Sequence, residues 1–564
     1  MNPFRKIFLF VLTVIFFVSF STLHAQTYAK NGMVVSSDRT ASETGVAILK
    51  KGGNAVDAAV ATAFSLAVTH PSAGNIGGGG FLVYMNANGE VTTIDFREKA
   101  PLAATNEMYL DEKSNLVENL NHMSIKAVGV PGTVAGLYLA HQKYGKLSWA
   151  EVVQPAIDLA ENGFIFNWAL YNDALSFKTD TSATEFMKSY FQNDMGELLQ
   201  PGMNWKQPQL AKTLTLIRDK GRDGFYKGEI AAKIASFMKE NGGIITQKDL
   251  DKYEAIERKP IKGTYKGFDI YSMPPPSSGG IALIEMLNLM EQADFKELEF
   301  NSTDYIHFLT EAMRRAFADR AQYLGDPDFN LDMPLDRLVS KAFAQKRFRE
   351  IDMSRASVSD STKFGQLYDG ESTTHLSVMD KDGNAVSLTY TLEYSYGSQL
   401  GSPELGFIFN NEMGDFNPQP GVTKTDGQIG TAPNLVAPEK RMLSSMTPTI
   451  VGKNGKAYLV IGSPGGRTII NTVFQTVLNV LEFDMPIHKA IEVLKIHHQW
   501  LPDVLVYEKY LLSPDTGKAL ENRGHTLWAY DNLGALMGIT LDPEKMIMTG
   551  ASDSSQPESA AVGF

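Results

Sequence analysis

Residues 373–392, TTHLSVMDKDGNAVSLTYTL, constrain the fold more than any other stretch of the chain. Leu376 to Met379 and Ala385 to Tyr390 alternate about DKDGN, the pattern of an antiparallel hairpin turning at Asp382-Gly383. Two further hairpins repeat the design: Phe81 to Met85 with Val91 to Phe96 about Asn88-Gly89, and Thr449 to Val451 with Ala457 to Ile461 about Asn454-Gly455. The last runs through GSPGG into RTIINTVFQTVLNVLEF, an amphipathic helix, so Gly465 and Gly466 stand where a strand hands over to a helix.

Helical patterns fill much of the rest. SSDRTASETGVAILKKGGNAVDAAVATAFSLAVTHP reads as two helices parted by Gly52-Gly53, the second capped by Asn54 with Asp57 and stopped by Pro71. From about Lys126 to Gln345 the periodicity is mostly helical. The run Gly77 to Gly80 has neither a G-x-G-x-x-G leading into a helix nor a GK[ST] ending, so it reads as a tight backbone approach inside a sheet, not a phosphate cradle. His141 and His307 lack metal-ligand spacing and read as surface or core residues.

The first 25 residues carry Arg5 and Lys6, an apolar run from Ile7 to Phe20 and small residues up to Ala25, which is a secretory leader; a spanning helix would need about 20 apolar residues. Export to a bacterial periplasm or beyond is expected, with the mature chain starting near Gln26. There is no cysteine, which removes disulfides, thiolate metal sites and cysteine nucleophiles. A net charge of −12, two units more negative once the leader is removed, argues against nucleic acid or anionic lipid as partners.

Residues 353–372, MSRASVSDSTKFGQLYDGES, are polar, serine-rich and aperiodic, and read as an exposed linker that ends directly before the 373–392 hairpin. A turn at Asp382-Gly383 sets Thr373 opposite Leu392 to within about a residue, with Thr391 and Glu393 on either side. Threonine is a weak nucleophile unless a base takes its proton, and one solution uses the residue's own α-amino group, whose pKa lies near 8. That amine exists only if the chain is cut before the threonine. A polar segment ending at Ser372, followed at once by a strand, is the layout such a cut requires.

Eight segments in order, GGNAVDAAVATAFSLAVTHPSAGNIGGGGF, IDFREKAP, VGVPGTVAGL, PPPSSGG, TTHLSVMDKDGNAVSLTYTL, NNEMGDF, MLSSMTPTIV and GSPGGRTI, make the chain resemble the γ-glutamyltransferases (γ-glutamyl transpeptidases), which are N-terminal-nucleophile hydrolases. The resemblance implies an α+β fold, a four-layer αββα sandwich. It also implies a proenzyme that cuts itself between Ser372 and Thr373 into a large subunit, 26–372, and a small subunit, 373–564, that stay together without metal or organic cofactor. Carried over by position, Thr373 would be the nucleophile, Thr391 the partner of its freed amine, and Gly465 and Gly466 the oxyanion hole. Arg97, Ser444 and Ser445 would hold the donor's α-carboxylate, and Glu412 and Asp415 its α-ammonium, with Glu393 converging on the same group. Residues 417–431 match the position of an active-site lid, with Asp426 at its tip. Glu393 departs from the family's usual asparagine, and Gly414 from the usual NNEMDDF or NNQMDDF.

Read without the resemblance, Arg97 pairs with Glu98 or Asp95 on a sheet edge, Ser444-Ser445 is a turn, Gly465-Gly466 serves strand-to-helix packing, and Glu412 and Asp415 are loop carboxylates. The resemblance favours γ-glutamyl transfer from glutathione-like amides to water or to an amino-acid or peptide amine. An acylase of the same fold for a glutaryl-type side chain, and an uncleaved, inactive periplasmic binding protein, are the alternatives.

Overall fold

The computed structural model describes residues 26–193, 195–295, 298–359 and 372–564. The leader and most of the segment before Thr373 lie outside the described residues. Two antiparallel seven-stranded sheets stack face to face. The first runs in the order Thr27–Ala29, Ile547–Ser552, Met537–Asp542, Lys456–Gly462, Thr449–Lys453, Phe268–Ser272, Ile261–Tyr265. The second runs Ala560–Gly563, Gly32–Ser36, Ser372–Asp380, Ala385–Glu393, Gly79–Met85, Val91–Phe96, Ile256–Arg258.

Three apolar clusters mark the layers. Met33, Val35, Val83 and Met379 of the second sheet meet Ile450, Val460 and Ile539 of the first between the sheets. Val34, Leu82, Leu376 and Leu388, on the opposite face of the second sheet, pack under Arg39–Lys50, Ala55–Thr69 and Thr133–Tyr144. Ile270, Val451 and Leu459 pack under Gly279–Met290, Thr303–Tyr323 and Ile469–Glu482 on the far side. Alternate residues of each strand thus feed different layers, as period-two geometry requires, and the result is the αββα sandwich.

The expected helix pair forms as read, with a capping box in which Asn54 and Asp57 bond each other's backbone N–H groups. All three hairpins form. Asn454 and Gly455 both take positive φ, the geometry of the tight turn that their sequence favours. In the glycine run, a Cβ on Gly78 would lie 2.0 Å from the Thr391 carbonyl oxygen and one on Gly80 2.4 Å from that of Thr389, so a tight backbone approach is what this stretch provides. His141 and His307 are buried core residues. The mostly helical middle also contributes Ile256–Arg258, Ile261–Tyr265 and Phe268–Ser272, which complete the edges of both sheets, and a separate two-stranded pair, Phe164–Ile165 with Asn204–Trp205. Residues 356–359 of the polar stretch are tied down: Ala356 N donates to Arg523 O, Ser357 N to Glu311 and Ser359 N to Asp503.

Candidate active site

The strand pair at the centre of the second sheet carries a column of hydroxyls on its inter-sheet face. Thr373 pairs with Thr391, His375 with Thr389 and Ser377 with Ser387. His375 lies 2.8 Å from Thr389 Oγ1 through Nδ1 and 3.0 Å from Ser377 Oγ through Nε2. Ser377 and Ser387 then donate to the carbonyls of Met537 and Ile461 in the facing sheet. Burial drives the His375 pKa down to about 3, so the imidazole is neutral and the column carries no charge.

At the head of the column, Thr373 Oγ1 donates to Thr391 Oγ1 at 3.4 Å. The register skips between Ser372 and Thr373: Ser372 faces Glu393, and Leu392 is the extra residue of a bulge. This moves Thr373 from the expected Leu392 onto Thr391 and re-aims the strand end. Glu393 takes a left-handed backbone, φ 79°, and its N–H donates to Thr391 Oγ1 at 2.9 Å. Asn75 fixes the same residue from behind, donating through Nδ2 to Thr391 O at 2.9 Å.

Gly465 and Gly466 follow the strand Lys456–Gly462, whose last glycine lies against the His375 ring, at 2.3 Å from where its Cβ would be. Both glycines have positive φ, 131° and 52°, which an L side chain rarely adopts. Neither N–H donates to a backbone acceptor among the described residues.

Beside the hydroxyls lies a buried charge cluster. Arg97, 1 % exposed, reaches Glu412 Oε2 at 2.5 Å, contacts Asp415 Oδ2 and lies 3.7 Å from Glu98. Burial alone would lower the arginine's pKa, but Glu412, Asp415 and Glu98 together outweigh it and hold the guanidinium charged. Desolvation raises Glu98 and lifts Glu412 and Glu393 well above the usual carboxylate range; Arg97 offsets part of it in each. Both oxygens of Glu98 and of Glu412 are buried without a hydrogen-bond donor. The residues assigned to opposite ends of a donor therefore hold each other here.

Ser444 and Ser445 come from the MLSS segment and are seated by PPPSSGG: Ser278 donates through N and Oγ to Ser444 O, and Ser444 N donates to Pro276 O. Arg320 donates through Nε to Ser278 Oγ at 2.8 Å and through Nη2 to Ser445 Oγ at 3.1 Å. It forms no ion pair among the described residues, and burial beside Arg467 and Arg97 depresses its pKa. Sequence reasoning named Glu98 only as a partner of Arg97, and it missed Arg320 and His122, which meets Glu393 at 3.0 Å. Only Glu98 lay in a recognised segment. The span 417–431 folds back on itself, with Gly421 N on Gly430 O, and Arg467 donates to Gly427 O beside its tip. Among the described residues no group of His, Asp and Glu is placed to hold a metal ion.

A family model described as gamma-glutamyltranspeptidase matches residues 41–563. The chain belongs to that family. Within it, a glutathione hydrolase proenzyme of Escherichia coli is 47 % identical over 539 residues, covering 95 % of this chain and 92 % of the relative. The crystal structure of a Helicobacter pylori γ-glutamyltranspeptidase superposes with a TM-score of 0.56 at 46 % identity, over 59 % of this chain and 96 % of that one. A cephalosporin acylase from Bacillus halodurans gives a TM-score of 0.83 at 26 % identity, over 97 % of this chain and 98 % of that one. For a γ-glutamyltranspeptidase, the hydroxyl column and the charge cluster draw on the segments that carried the resemblance: NNEMGDF supplies Glu412 and Asp415, IDFREKAP supplies Arg97 and Glu98.

Proposed function

We propose that this protein is an exported, self-processing γ-glutamyltransferase and glutathione hydrolase, acting through a Thr373 acyl ester. The observation that carries the reading is one buried guanidinium surrounded by carboxylates next to the threonine pair, a charge pattern complementary to the α-amino-acid end of a γ-glutamyl donor. The donor's α-carboxylate takes Arg97, with the Ser444 and Ser445 hydroxyls and the Arg320 guanidinium beside it. Its ammonium takes Glu412, Asp415 and Glu393. The guanidinium's contacts with Glu412 and Asp415 are exchanged for contacts of Arg97 with the donor's carboxylate and of those acids with its ammonium, so the guanidinium keeps a counter-ion.

In maturation the Thr373 hydroxyl attacks the Ser372 carbonyl carbon, the peptide C–N bond breaks, and water releases the ester, leaving Thr373 with a free amine. In turnover that amine accepts the hydroxyl proton as Oγ1 bonds to the donor's γ-carbonyl carbon. The N–H groups of Gly465 and Gly466 receive the oxyanion, and the leaving amine departs with the proton. Water or an acceptor amine then takes the acyl group from the ester. The leader, residues 1–25, directs export, which N-terminal sequencing of the mature protein near Gln26 would check.

Donor profiling tests the assignment. Turnover of γ-glutamyl amides should exceed that of glutaryl and α-glutamyl amides. A preference for glutaryl amides would install the acylase reading, and a single uncut chain on a denaturing gel, with no turnover, the inactive binding protein.

A further inference from the structure

Two departures seen in the sequence, Glu393 and Gly414, meet at one imidazole. His122 Nδ1 lies 3.0 Å from Glu393 Oε1 and 3.3 Å from Oε2, and the ring stacks on Tyr394 with centroids 4.9 Å apart and planes 7° from parallel. Gly414, in the turn Glu412–Asp415, stands against the same nitrogen. A Cβ there would lie 2.1 Å from His122 Nδ1, 2.4 Å from Cε1 and 2.9 Å from Glu393 Oε1. Gly414 does not have a positive φ, so its backbone would accept another residue; the imidazole is what forbids a side chain. The ring is stacked on Tyr394 and paired with Glu393, which leaves it little room to yield.

We propose that His122 is a positioning residue of the donor-ammonium subsite, clamping the Glu393 carboxylate from the space that Gly414 keeps open, so that the three residues act as one unit in choosing α-amino donors. The inference rests on the γ-glutamyl reading of the site. Glu393 starts from a left-handed backbone at a bulge, and a carboxylate on a flexible two-methylene tether needs a second contact to fix its direction. His122 provides it.

Proton content follows from the surroundings. Glu393 is faced by His122 from its own loop, by Asp415 and Glu412 from the turn, by Arg97 just past the end of Val91–Phe96, by Arg467 and by the Tyr109 hydroxyl. Burial, with Asp415, raises the Glu393 pKa well above the usual range, while burial brings His122 down to about 4. The empty pair therefore shares one proton and is neutral. An arriving ammonium favours the carboxylate, so the proton leaves, and donor affinity rises with pH through the pair's titration. A neutral imidazole donating Nδ1–H stabilises that carboxylate; without it the titration moves to higher pH.

The test is a set of four proteins, wild type, His122→Ala, Gly414→Ala and the double variant, with His122→Gln as the conservative replacement. In all of them, release of the fragment beginning at Thr373 reports folding. His122→Ala should raise KM for a γ-glutamyl amide by about tenfold with kcat changed less than about threefold, and leave KM for a glutaryl amide unchanged, the scale of one hydrogen bond to a charged group. Gly414→Ala should do the same, since its methyl group expels the ring. The double variant should be no worse than His122→Ala alone. The acid limb of kcat/KM should move to higher pH in His122→Ala and lie between the two in His122→Gln. Additive effects of the two single changes, or an unmoved acid limb, would overturn the proposal. Should wild type turn over no γ-glutamyl donor, the functional reading fails separately, and thermal unfolding of the same four proteins still decides the steric unit: Gly414→Ala must lower Tm beside His122 and not beside Ala at 122.

Discussion

The hydroxyl column and the charge cluster sit side by side, yet they are put together in opposite ways. The column is local and neutral. Its members come from two strands joined by a tight turn, and each hydroxyl or ring nitrogen has a partner within the pair or in the facing sheet. The cluster is assembled from separate segments around residues 97, 320, 412 and 444; Arg97 is held by opposite charge and Arg320 by serine hydroxyls, in a place where ions are costly. A neutral column can be rigid before substrate arrives, as a nucleophile requires. A cluster of self-neutralised ions is in balance only until a zwitterion replaces its partners, which is what a recognition site requires.

The sharpest break in this comparison is Thr373→Ala. It should leave one uncut chain with no turnover, while the charge cluster keeps its ability to bind a γ-glutamyl compound, measurable by calorimetry on the uncut protein. Loss of binding together with cutting would mean that the two regions are not separable.

Arg97→Ala attacks the other side. Processing should continue, but kcat/KM for a γ-glutamyl amide should fall by about 2–5 kcal/mol of transition-state stabilisation, since the guanidinium is lost and Glu98 and Glu412 are left without their counter-ion. Arg97→Lys should recover only part, because a point charge cannot hold a carboxylate through two parallel bonds. An Arg97→Ala protein that processes slowly but keeps its kcat/KM would reverse the division of labour.

A smaller effect is expected from Arg320→Gln. The glutamine amide can still donate to the serines but brings no charge, so KM should rise by about tenfold with kcat nearly unchanged. Equal losses in kcat and in KM would assign Arg320 to the chemistry.

The smallest expected change concerns pH and stability. Burial raises the Glu98 pKa above its ordinary 4.5 against the pull of Arg97. A carboxyl whose folded pKa is raised contributes stability that is complete below the unfolded value and is lost as pH rises from there through the folded value. Glu98→Gln in the uncut Thr373→Ala background should therefore flatten the decline of Tm on going from acid to neutral pH. Substituting His375, in the neutral column, with a non-titrating residue that keeps both contacts should act the other way and steepen the decline, because a histidine whose folded pKa is lowered to about 3 adds stability as pH rises from there to its unfolded value.

Much of the fold was legible because hairpins and helices are written in local periodicity. The capping box, the three turns and the glycine run each follow from a few adjacent residues. The strands Ile261–Tyr265 and Phe268–Ser272 were lost in a helical background, although Lys266-Gly267, both at positive φ, mark the turn between them. In the site, the threonine pair was readable to within one residue, and the bulge at Leu392 accounts for the difference. His122 and Arg320 were not readable. Each meets its partner across the chain, 271 residues away for His122 with Glu393 and 125 for Arg320 with Ser445, and no periodicity records such a contact.

Both sheets interleave strands from before and after Thr373. Gly32–Ser36 lies between Ala560–Gly563 and Ser372–Asp380, and Thr27–Ala29 is hydrogen-bonded to Ile547–Ser552. A cut before the threonine would remove one covalent link and no ladder. Made as two separate polypeptides, each piece would carry bare strand edges through synthesis, templates for pairing with any other copy. A chain so arranged would have to be completed as one piece and divided afterwards, and the two products of such a cut would part only on denaturation.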